Sequence, residues 1–220
     1  MSDLCVVYGG TFDPIHNGHL RVAIELREML KVHEIRLMPA SIPPHRPQPG
    51  ASAQERLELM RLATSGEPGL VLDDRELQRH GASYTALSLQ QLRAELGPQR
   101  PLAMVVGYDA FAGFADWRDW PSIPELAHII VVNRPGQALP DQPVPATLIA
   151  ERGVESPDAL NEAPAGGVLT LQLPAMDISA STIREKLAAG RSPRFLLPDA
   201  VLWRIFEQGL YQSRSENPQS

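Results

Sequence analysis

The chain has 220 residues, of which 43% are hydrophobic, and a formal net charge of -6 at pH 7. This length and composition predict one domain with a sizeable buried core. The acidic balance disfavours a general nucleic-acid or anionic-membrane surface, because both partners require basic patches. The single cysteine, Cys5, excludes an intramolecular disulfide and a Cys-rich zinc site. With no secretory signal pattern and no apolar stretch of membrane-spanning length, we expect a cytoplasmic protein.

The first predicted element is a strand that leads through a glycine-rich turn into a helix. Residues 4–8 are mainly β-branched and aromatic, which is typical of a strand, whereas residues 20–30 carry apolar side chains at helical spacing. The turn between them, residues 9–19, reads GGTFDPIHNGH. Its glycines let a polyphosphate approach the main chain, and a helix N-terminus adds N–H donors and a positive dipole end. The sequence therefore predicts a phosphate-binding loop.

Two histidines of this turn, His16 and His19, are predicted to lie on one side of the first helical turn because they are three residues apart. There each imidazole can donate an N–H to phosphate oxygens and stabilise charge that develops in a transition state. Taken singly, the glycines, the Asp-Pro pair and each histidine are also typical of an ordinary tight turn. Their combination with Thr11 around one glycine favours phosphate binding.

Strands and helices then alternate along the chain, with Gly97 ending one helix and Pro198 expected at the first position of the last. The predicted strands are residues 34–38, 70–72, 102–106, 128–132 and 168–173, and the predicted helices are residues 52–63, 85–96, 181–189 and 198–208. Residues 137–165 lack clear periodicity and are predicted to be a surface connection with one strand near 147–150. This alternation predicts an α/β fold, a Rossmann-like, doubly wound parallel sheet.

The predicted organisation is a single domain, residues 1–212, followed by a polar tail at 213–220. Residues 1–175 form its Rossmann-like core and residues 176–212 a small C-terminal helical part. Ligands of such sheets bind at the carboxyl ends of the strands. We therefore expect five loops to converge at this edge of the sheet: residues 9–19, 39–46, 107–109, 134 and 179–184.

A second anion-binding element is predicted at residues 177–184, which read DISASTIR between a strand and a helix. The hydroxyls of Ser179 and Ser181 lie near the helix N-terminus, and Arg184 follows one turn later. The planar guanidinium suits phosphate oxygens because it makes two charge-assisted hydrogen bonds at once. The alternative is that Ser179 or Ser181 only caps the helix and Arg184 is solvated.

Together, the two elements resemble those of the His-x-Gly-His nucleotidyltransferase superfamily, and within it the chain is similar to the nicotinate-nucleotide adenylyltransferases. The ordered matches are residues 9–19, 43–46, 83–85, 107–109, Trp117 with Trp120, 134–136 and 179–184. The resemblance implies transfer of an adenylyl group from ATP to nicotinate mononucleotide by direct in-line attack. The products are nicotinate adenine dinucleotide and pyrophosphate, in NAD biosynthesis. It also implies Mg²⁺ carried with ATP and held mainly by phosphates and water, so no residue is assigned as a metal ligand.

The resemblance assigns a catalytic role to His16, His19 and Arg184. The implied ATP-binding residues are Gly9, Gly10, Thr11, Phe12, His16, Gly18, His19, Ser179, Ser181 and Arg184. The implied acceptor-binding residues are His45, Arg46, Tyr84, Thr85, Asp109 and Trp117. In this scheme Trp117 stacks on the pyridine ring, backbone N–H groups at Tyr84 and Thr85 receive the nicotinate carboxylate, and Asp109 accepts from a ribose hydroxyl.

Several of these residues also have simpler interpretations. Trp117 and Trp120 can be core packing, and Asp109 or Thr85 can cap a helix. The chain also departs from the family pattern, since Ala180 and Ser181 replace a serine and a threonine that are common there. Arg46 replaces a frequent lysine, which keeps the charge and changes its geometry.

Two other functions remain open at this stage. Pantetheine-phosphate adenylyltransferases use the same chemistry, but they are shorter and typically have threonine at the position of His16. A nucleotide-binding module without turnover is the second alternative, and a cytidylyltransferase is disfavoured. The sequence leaves the oligomeric state and the degree of preference for the acid over the amide mononucleotide open.

Overall fold

The computed structural model describes residues 2–42, 48–79, 81–133, 140–174 and 176–212. Its strands are β1 (Cys5–Gly10), β2 (Ile35–Pro39), β3 (Leu70–Leu72), β4 (Leu102–Gly107), β5 (His128–Asn133), β6 (Gly153–Val154) and β7 (Val168–Gln172). Its α-helices are α1 (Asn17–Met29), α2 (Ala53–Thr64), α3 (Thr85–Leu96), α4 (Tyr108–Ala112), α5 (Ile123–Leu126), α6 (Pro143–Arg152), α7 (Ala180–Ala188) and α8 (Asp199–Glu207). Short 3₁₀ turns cover Phe114–Asp116, Trp120–Ser122 and Pro157–Asn161.

The strands form one seven-stranded sheet in the order β3-β2-β1-β4-β5-β7-β6. The paired strands run parallel throughout this sheet. The chain winds outward from β1 in one direction and from β4 in the other, so the order reverses between these two strands. The predicted α/β fold with a doubly wound parallel sheet is confirmed. The reversal point is where such sheets bind their ligands.

The core lies on both faces of the sheet because successive side chains of a strand point to opposite sides. In β1, Val6 contributes to the cluster under α1, α2, α7 and α8, whereas Cys5 and Val7 contribute to the cluster under α3 and α5. Cys5 is a buried core thiol. A strand that is apolar on both faces is typical of a buried parallel sheet.

Two helix ends follow the sequence signals closely. Helix α2 begins after Ser52, whose hydroxyl accepts from the Glu55 N–H while the Glu55 carboxylate accepts from the Ser52 N–H. A serine followed three residues later by a glutamate is the sequence signature of such a capping box. Helix α3 has the predicted bounds and ends at Gly97, which adopts a φ of +82°. None of the described helices is long and apolar enough to cross a membrane.

The prediction for the segment after β5 is wrong within its described part. Residues 143–152 form α6 where we expected a connection with a strand near 147–150. Pro143 and Pro145 are compatible with this helix because they occupy its first turn, where backbone N–H groups have no intrahelical partner. Leu148 then packs into the core. Pro198 is the N-cap of α8 and not its first residue as predicted.

Candidate active site

A cleft of about 1080 Å³ lies at the carboxyl ends of the strands, above the reversal point between β1 and β4. The predicted site residues that line it are Gly9, Gly10, Thr11, Phe12, His16, Gly18, His19, Tyr84, Thr85, Asp109, Trp117, Ser179, Ser181 and Arg184. The described part of the chain therefore brings the residues of both predicted phosphate elements and four of the six predicted acceptor residues to one cavity. His45, Arg46 and Arg134 lie outside the described residues.

The glycines at the ends of β1 and β4 leave open space above the sheet. A Cβ added to Gly9 or to Gly107 would meet no protein atom within 4 Å, and neither glycine has a positive φ. Neither backbone conformation nor protein packing therefore requires glycine here. Gly10 differs, because its Cβ would lie 2.9 Å from the ring of Phe12, which folds under the loop. The space at Gly9 and Gly107 suits a ligand that lies against the main chain.

His16 and His19 stand together at the start of α1. His16 is the N-cap residue, and His19 lies in the first turn. Their rings stack with centroids 3.7 Å apart, and Phe12 packs edge-on against His19 at 5.0 Å. Gly18 permits this arrangement, because a Cβ there would lie 3.0 Å from Nδ1 of His16. The prediction that both imidazoles lie on one side of the turn is confirmed.

His16 is unusual in its burial. Only 5% of the residue is exposed, and its Nδ1 is buried without a hydrogen-bond partner among the described residues. This burial lowers the pKa of His16 to about 4, so the ring is neutral at pH 7. An unpaired polar atom in a buried position is costly unless a ligand or water satisfies it. The site is thus prepared for a hydrogen-bonding ligand at the N-terminus of α1.

A buried arginine supports the loop from below. Arg56 of α2 is fully buried, and it donates from Nη1 to the Thr11 carbonyl at 2.7 Å and from Nη2 to the Ser41 carbonyl at 3.0 Å. These bonds fix the main chain of the phosphate loop and of the segment after β2. Sequence reasoning missed Arg56. The available signal was helical spacing, because Arg56 lies three and four residues before the buried Leu59 and Met60.

The second anion element lies across the cleft at the N-terminus of α7. Ser179 is its N-cap, and its hydroxyl accepts from the Thr182 N–H at 3.1 Å. Arg184 donates from Nη1 to the Asp13 carbonyl at 2.6 Å and from Nη2 to the Ser181 hydroxyl at 3.4 Å. Ser179 therefore caps α7, as the alternative interpretation held, whereas Arg184 is bonded to the protein and not simply solvated. Ser181 lies inside the helix and orients Arg184, whose five N–H donors leave capacity for an anion.

The other end of the cleft is built by the N-terminus of α3 and an aromatic wall. Tyr84 is the N-cap of α3 without a side-chain cap bond, so Thr85 is not the cap. The guanidinium of Arg118 lies 4.5 Å from the centre of the Tyr84 ring. Trp117 lines the cleft and also packs on Phe114, with ring centroids 5.3 Å apart. Helix N–H groups, a cation and an indole face suit an aromatic acid.

Asp109 lines the cleft near this wall as an exposed residue of α4. The N-cap of that helix is Gly107, so the alternative that Asp109 caps it is wrong. Trp120 packs on Phe114 with ring centroids 6.1 Å apart and supports the aromatic wall from behind. The packing interpretation is thus confirmed for Trp120, while Trp117 both packs and faces the cavity.

Of the remaining histidines, His33 is exposed, whereas His128 is buried. Nδ1 of His128 accepts from the Gly167 N–H, and Nε2 lies 2.9 Å from the Ala163 carbonyl. These contacts give His128 a structural role in β5. His80 lies outside the described residues.

The comparisons with known proteins agree with this geometry. The model of the family described as cytidylyltransferase-like matches residues 7–186. A probable nicotinate-nucleotide adenylyltransferase of Marinobacter nauticus is 57% identical over 95% of this chain and 97% of its own length. The chain belongs to the nicotinate-nucleotide adenylyltransferase family. Another member with the same name, from Salmonella arizonae, is 41% identical over 96% of this chain and all of its own length.

Solved structures share the fold of this family member. Nicotinic acid mononucleotide adenylyltransferase of Plasmodium falciparum complexed with NaAD superimposes with a TM-score of 0.70 at 17% identity. The superposition covers 94% of this chain and 97% of the Plasmodium falciparum chain. The same Plasmodium falciparum protein complexed with APC gives a TM-score of 0.68. At this identity the likeness concerns the fold, and it supports the nucleotidyltransferase type of α/β sheet.

Proposed function

We propose that the chain transfers the adenylyl group of ATP to nicotinate mononucleotide and releases pyrophosphate. The observation that carries this proposal is one cavity that joins two anion-binding helix N-termini to an aromatic wall with a third helix N-terminus. The N-termini of α1 and α7 suit a triphosphate, and the N-terminus of α3 suits a carboxylate. The near full-length match to nicotinate-nucleotide adenylyltransferases supports the same reaction.

The reaction we infer is an in-line displacement at the α-phosphorus of ATP. The phosphate of the mononucleotide is already an anion, so the protein needs no strong base and acts by positioning and charge stabilisation. In this scheme His16, His19 and the N–H groups at the start of α1 stabilise the charge that develops on the non-bridging oxygens of the α-phosphate. Arg184 and the start of α7 lie on the side where pyrophosphate leaves.

The acceptor lies against the aromatic wall in this proposal. The pyridine ring stacks on Trp117, and its carboxylate meets the N-terminus of α3 beside Arg118. Asp109 accepts a hydrogen bond from a ribose hydroxyl. The positive end of α3 and the cation held over Tyr84 both favour the acid over the neutral amide. The roles predicted for His45 and Arg46 stay predictions.

Mg²⁺ enters in this scheme with ATP, bound by phosphate oxygens and water. Asp13 is the carboxylate of the phosphate loop, and it already accepts two backbone hydrogen bonds and one from a tyrosine hydroxyl. Within the described ranges, no cluster of three or more His, Cys, Asp or Glu side chains is arranged for a metal ion. The donor set of the loop therefore fits an Mg²⁺–ATP complex better than a metal bound by the protein alone.

The test is an assay of pyrophosphate release with Mg²⁺–ATP and one acceptor at a time. We expect release with nicotinate mononucleotide, less with nicotinamide mononucleotide and none with pantetheine phosphate. Release only with pantetheine phosphate would identify the rival adenylyltransferase. Binding of ATP without release with any acceptor would identify a nucleotide-binding module and overturn the proposal.

A further inference from the structure

Among the described residues, Tyr211 is the one farthest along the chain that contacts the phosphate loop, residues 9–19. Its hydroxyl donates to Oδ1 of Asp13 at 2.7 Å across a sequence separation of 198 residues. The turn that delivers it is well defined, because Gly209 and Tyr211 adopt φ values of +62° and +59° and Leu210 between them is buried in the core. The ring of Tyr211 itself packs against the core cluster.

Asp13 is the point at which three distant segments meet. The residue is 5% exposed. Its Oδ2 accepts from the Gly50 N–H at 2.7 Å and its Oδ1 from the Ala51 N–H at 3.1 Å, in addition to the bond from Tyr211. The carboxylate thus ties the phosphate loop to the segment that leads into α2 and to the residues after α8. Hydrogen bonds to a buried carboxylate are among the stronger ones in proteins.

The same aspartate also holds the arginine of the second anion element. Nη1 of Arg184 donates to the main-chain carbonyl of Asp13 at 2.6 Å and lies 3.6 Å from Oδ2 of its carboxylate. The 3.6 Å separation is within ion-pair range but longer than a normal hydrogen bond, so the guanidinium hydrogen-bonds to the main chain and pairs only loosely with the carboxylate. Arg184 therefore has two competing anionic partners, the Asp13 carboxylate and a phosphate in the cleft.

Gly50 permits the close approach of the tyrosine ring. A Cβ at this position would lie 3.0 Å from two ring carbons of Tyr211 and 3.5 Å from Cδ of Arg184. The φ of Gly50 is not positive, so packing and not backbone conformation requires glycine. Tyr211 and Arg184 thus lie next to the same glycine, and both are bonded to Asp13.

We propose that Tyr211 is a positioning residue for the triphosphate: its hydroxyl keeps the Asp13 carboxylate satisfied, so that Arg184 is directed to the phosphates of ATP. This inference rests on the proposed function and adds a residue from the C-terminal part of the chain. Without the hydroxyl, Asp13 has one donor fewer in a buried site. The nearest cation, Arg184, then closes onto the carboxylate and is withdrawn from the cleft.

The test is Tyr211→Phe, which keeps the ring and removes only the hydroxyl. We expect the KM for ATP to rise about tenfold, with kcat and the KM for nicotinate mononucleotide within about twofold of wild type, because lost ground-state binding appears in KM. Calorimetric titration with Mg²⁺–ATP alone should show the same loss of affinity. This binding measurement needs no turnover, so it separates failure of the inference from failure of the proposed reaction.

Glu58→Gln is the matched control. Glu58 of α2 forms an ion pair with Arg204 and accepts from Gln208 at 3.0 Å, so its loss loosens the same C-terminal helix without touching Asp13. We expect this variant to keep the wild-type KM for ATP. An equal rise in KM for both variants would mean that Tyr211 only stabilises the fold, and would overturn the inference.

A double-mutant cycle with Arg184→Lys tests the route of the effect. If Tyr211 acts through the guanidinium, Tyr211→Phe should change the affinity for Mg²⁺–ATP less than twofold in the Arg184→Lys background. A full tenfold loss in that background would show that the hydroxyl acts independently of Arg184. Wild-type affinity of the single variant Tyr211→Phe would also exclude the inference.

Discussion

The imidazole rings of His16 and His19 lie stacked, with centroids 3.7 Å apart and planes 25° from parallel. Burial lowers the pKa of His16 to about 4, so this ring of the pair is neutral at pH 7. The stack therefore places a neutral imidazole against His19 at the N-terminus of α1. Donors held in place in this way suit the stabilisation of charge that develops in a transition state.

We expect His19→Ala to lower kcat by about 10²–10³-fold, the loss typical of one transition-state donor. The KM for ATP should change far less. The measurement is steady-state release of pyrophosphate, with His33→Ala as the control because His33 is exposed and outside the cleft. A wild-type kcat for the His19 variant would remove this imidazole from the mechanism.

The burial of His16 predicts a pH dependence of stability. Its folded-state pKa is lowered to about 4 from an unfolded value of 6.5, so the unfolded chain takes up the proton first as the pH falls. The free energy of unfolding should therefore be unaffected by His16 above pH 6.5 and fall between pH 6.5 and about pH 4. At pH 5 the loss is about 2 kcal/mol.

This loss is measured by urea unfolding at pH 8 and pH 5 for wild type and for His16→Gln. The variant should lose less stability between the two pH values, and His33→Gln should lose as much as wild type. Equal losses in wild type and His16→Gln would show that His16 ionises freely in the folded protein.

The open space at Gly9 and Gly107 predicts variants that fold well and bind ATP poorly. Because an added Cβ meets no protein atom within 4 Å at either position, we expect Gly9→Ala and Gly107→Ala to keep or raise the midpoint of thermal unfolding. The same methyl group displaces a nucleotide from the main chain and should raise the KM for ATP by tenfold to about a hundredfold. Unchanged KM values would place the nucleotide elsewhere.

We expect Arg118 to contribute to the preference for nicotinate mononucleotide over nicotinamide mononucleotide. Its guanidinium lies 4.5 Å from the centre of the Tyr84 ring, next to the start of α3. Arg118→Gln should lower the ratio of kcat/KM for nicotinate over nicotinamide mononucleotide by about fivefold, the effect of about 1 kcal/mol at an exposed charge. Arg152→Gln, which removes a surface ion pair with Glu125, serves as the control and should keep the ratio.

Local signals account for the elements that the sequence predicts well. The strand-loop-helix from Cys5 to Met29 and the bounds of α3 follow from side-chain periodicity and from a terminating glycine, which act over a few residues. Helix α6 was missed because its prolines suggest a loop, although they occupy a first turn that tolerates them. The convergence of the loops followed from the parallel topology.

The support of the site could not be predicted, because it depends on contacts between distant segments. Asp13 reads as a turn residue beside Pro14, and nothing nearby in the sequence indicates its bonds to Gly50, Ala51 and Tyr211. Arg118 has no motif around it, and its position depends on how the aromatic segment packs against α3. Motifs thus predict the groups that face the ligand, and tertiary packing determines how those groups are held.

The bond between Tyr211 and Asp13 also has a consequence for the order of synthesis. The glycine loop and both imidazoles leave the ribosome well before Tyr211, whose hydroxyl binds the Asp13 carboxylate from 198 residues farther along the chain. In a nascent chain this carboxylate therefore lacks one of its hydrogen bonds until α8 has emerged and folded back.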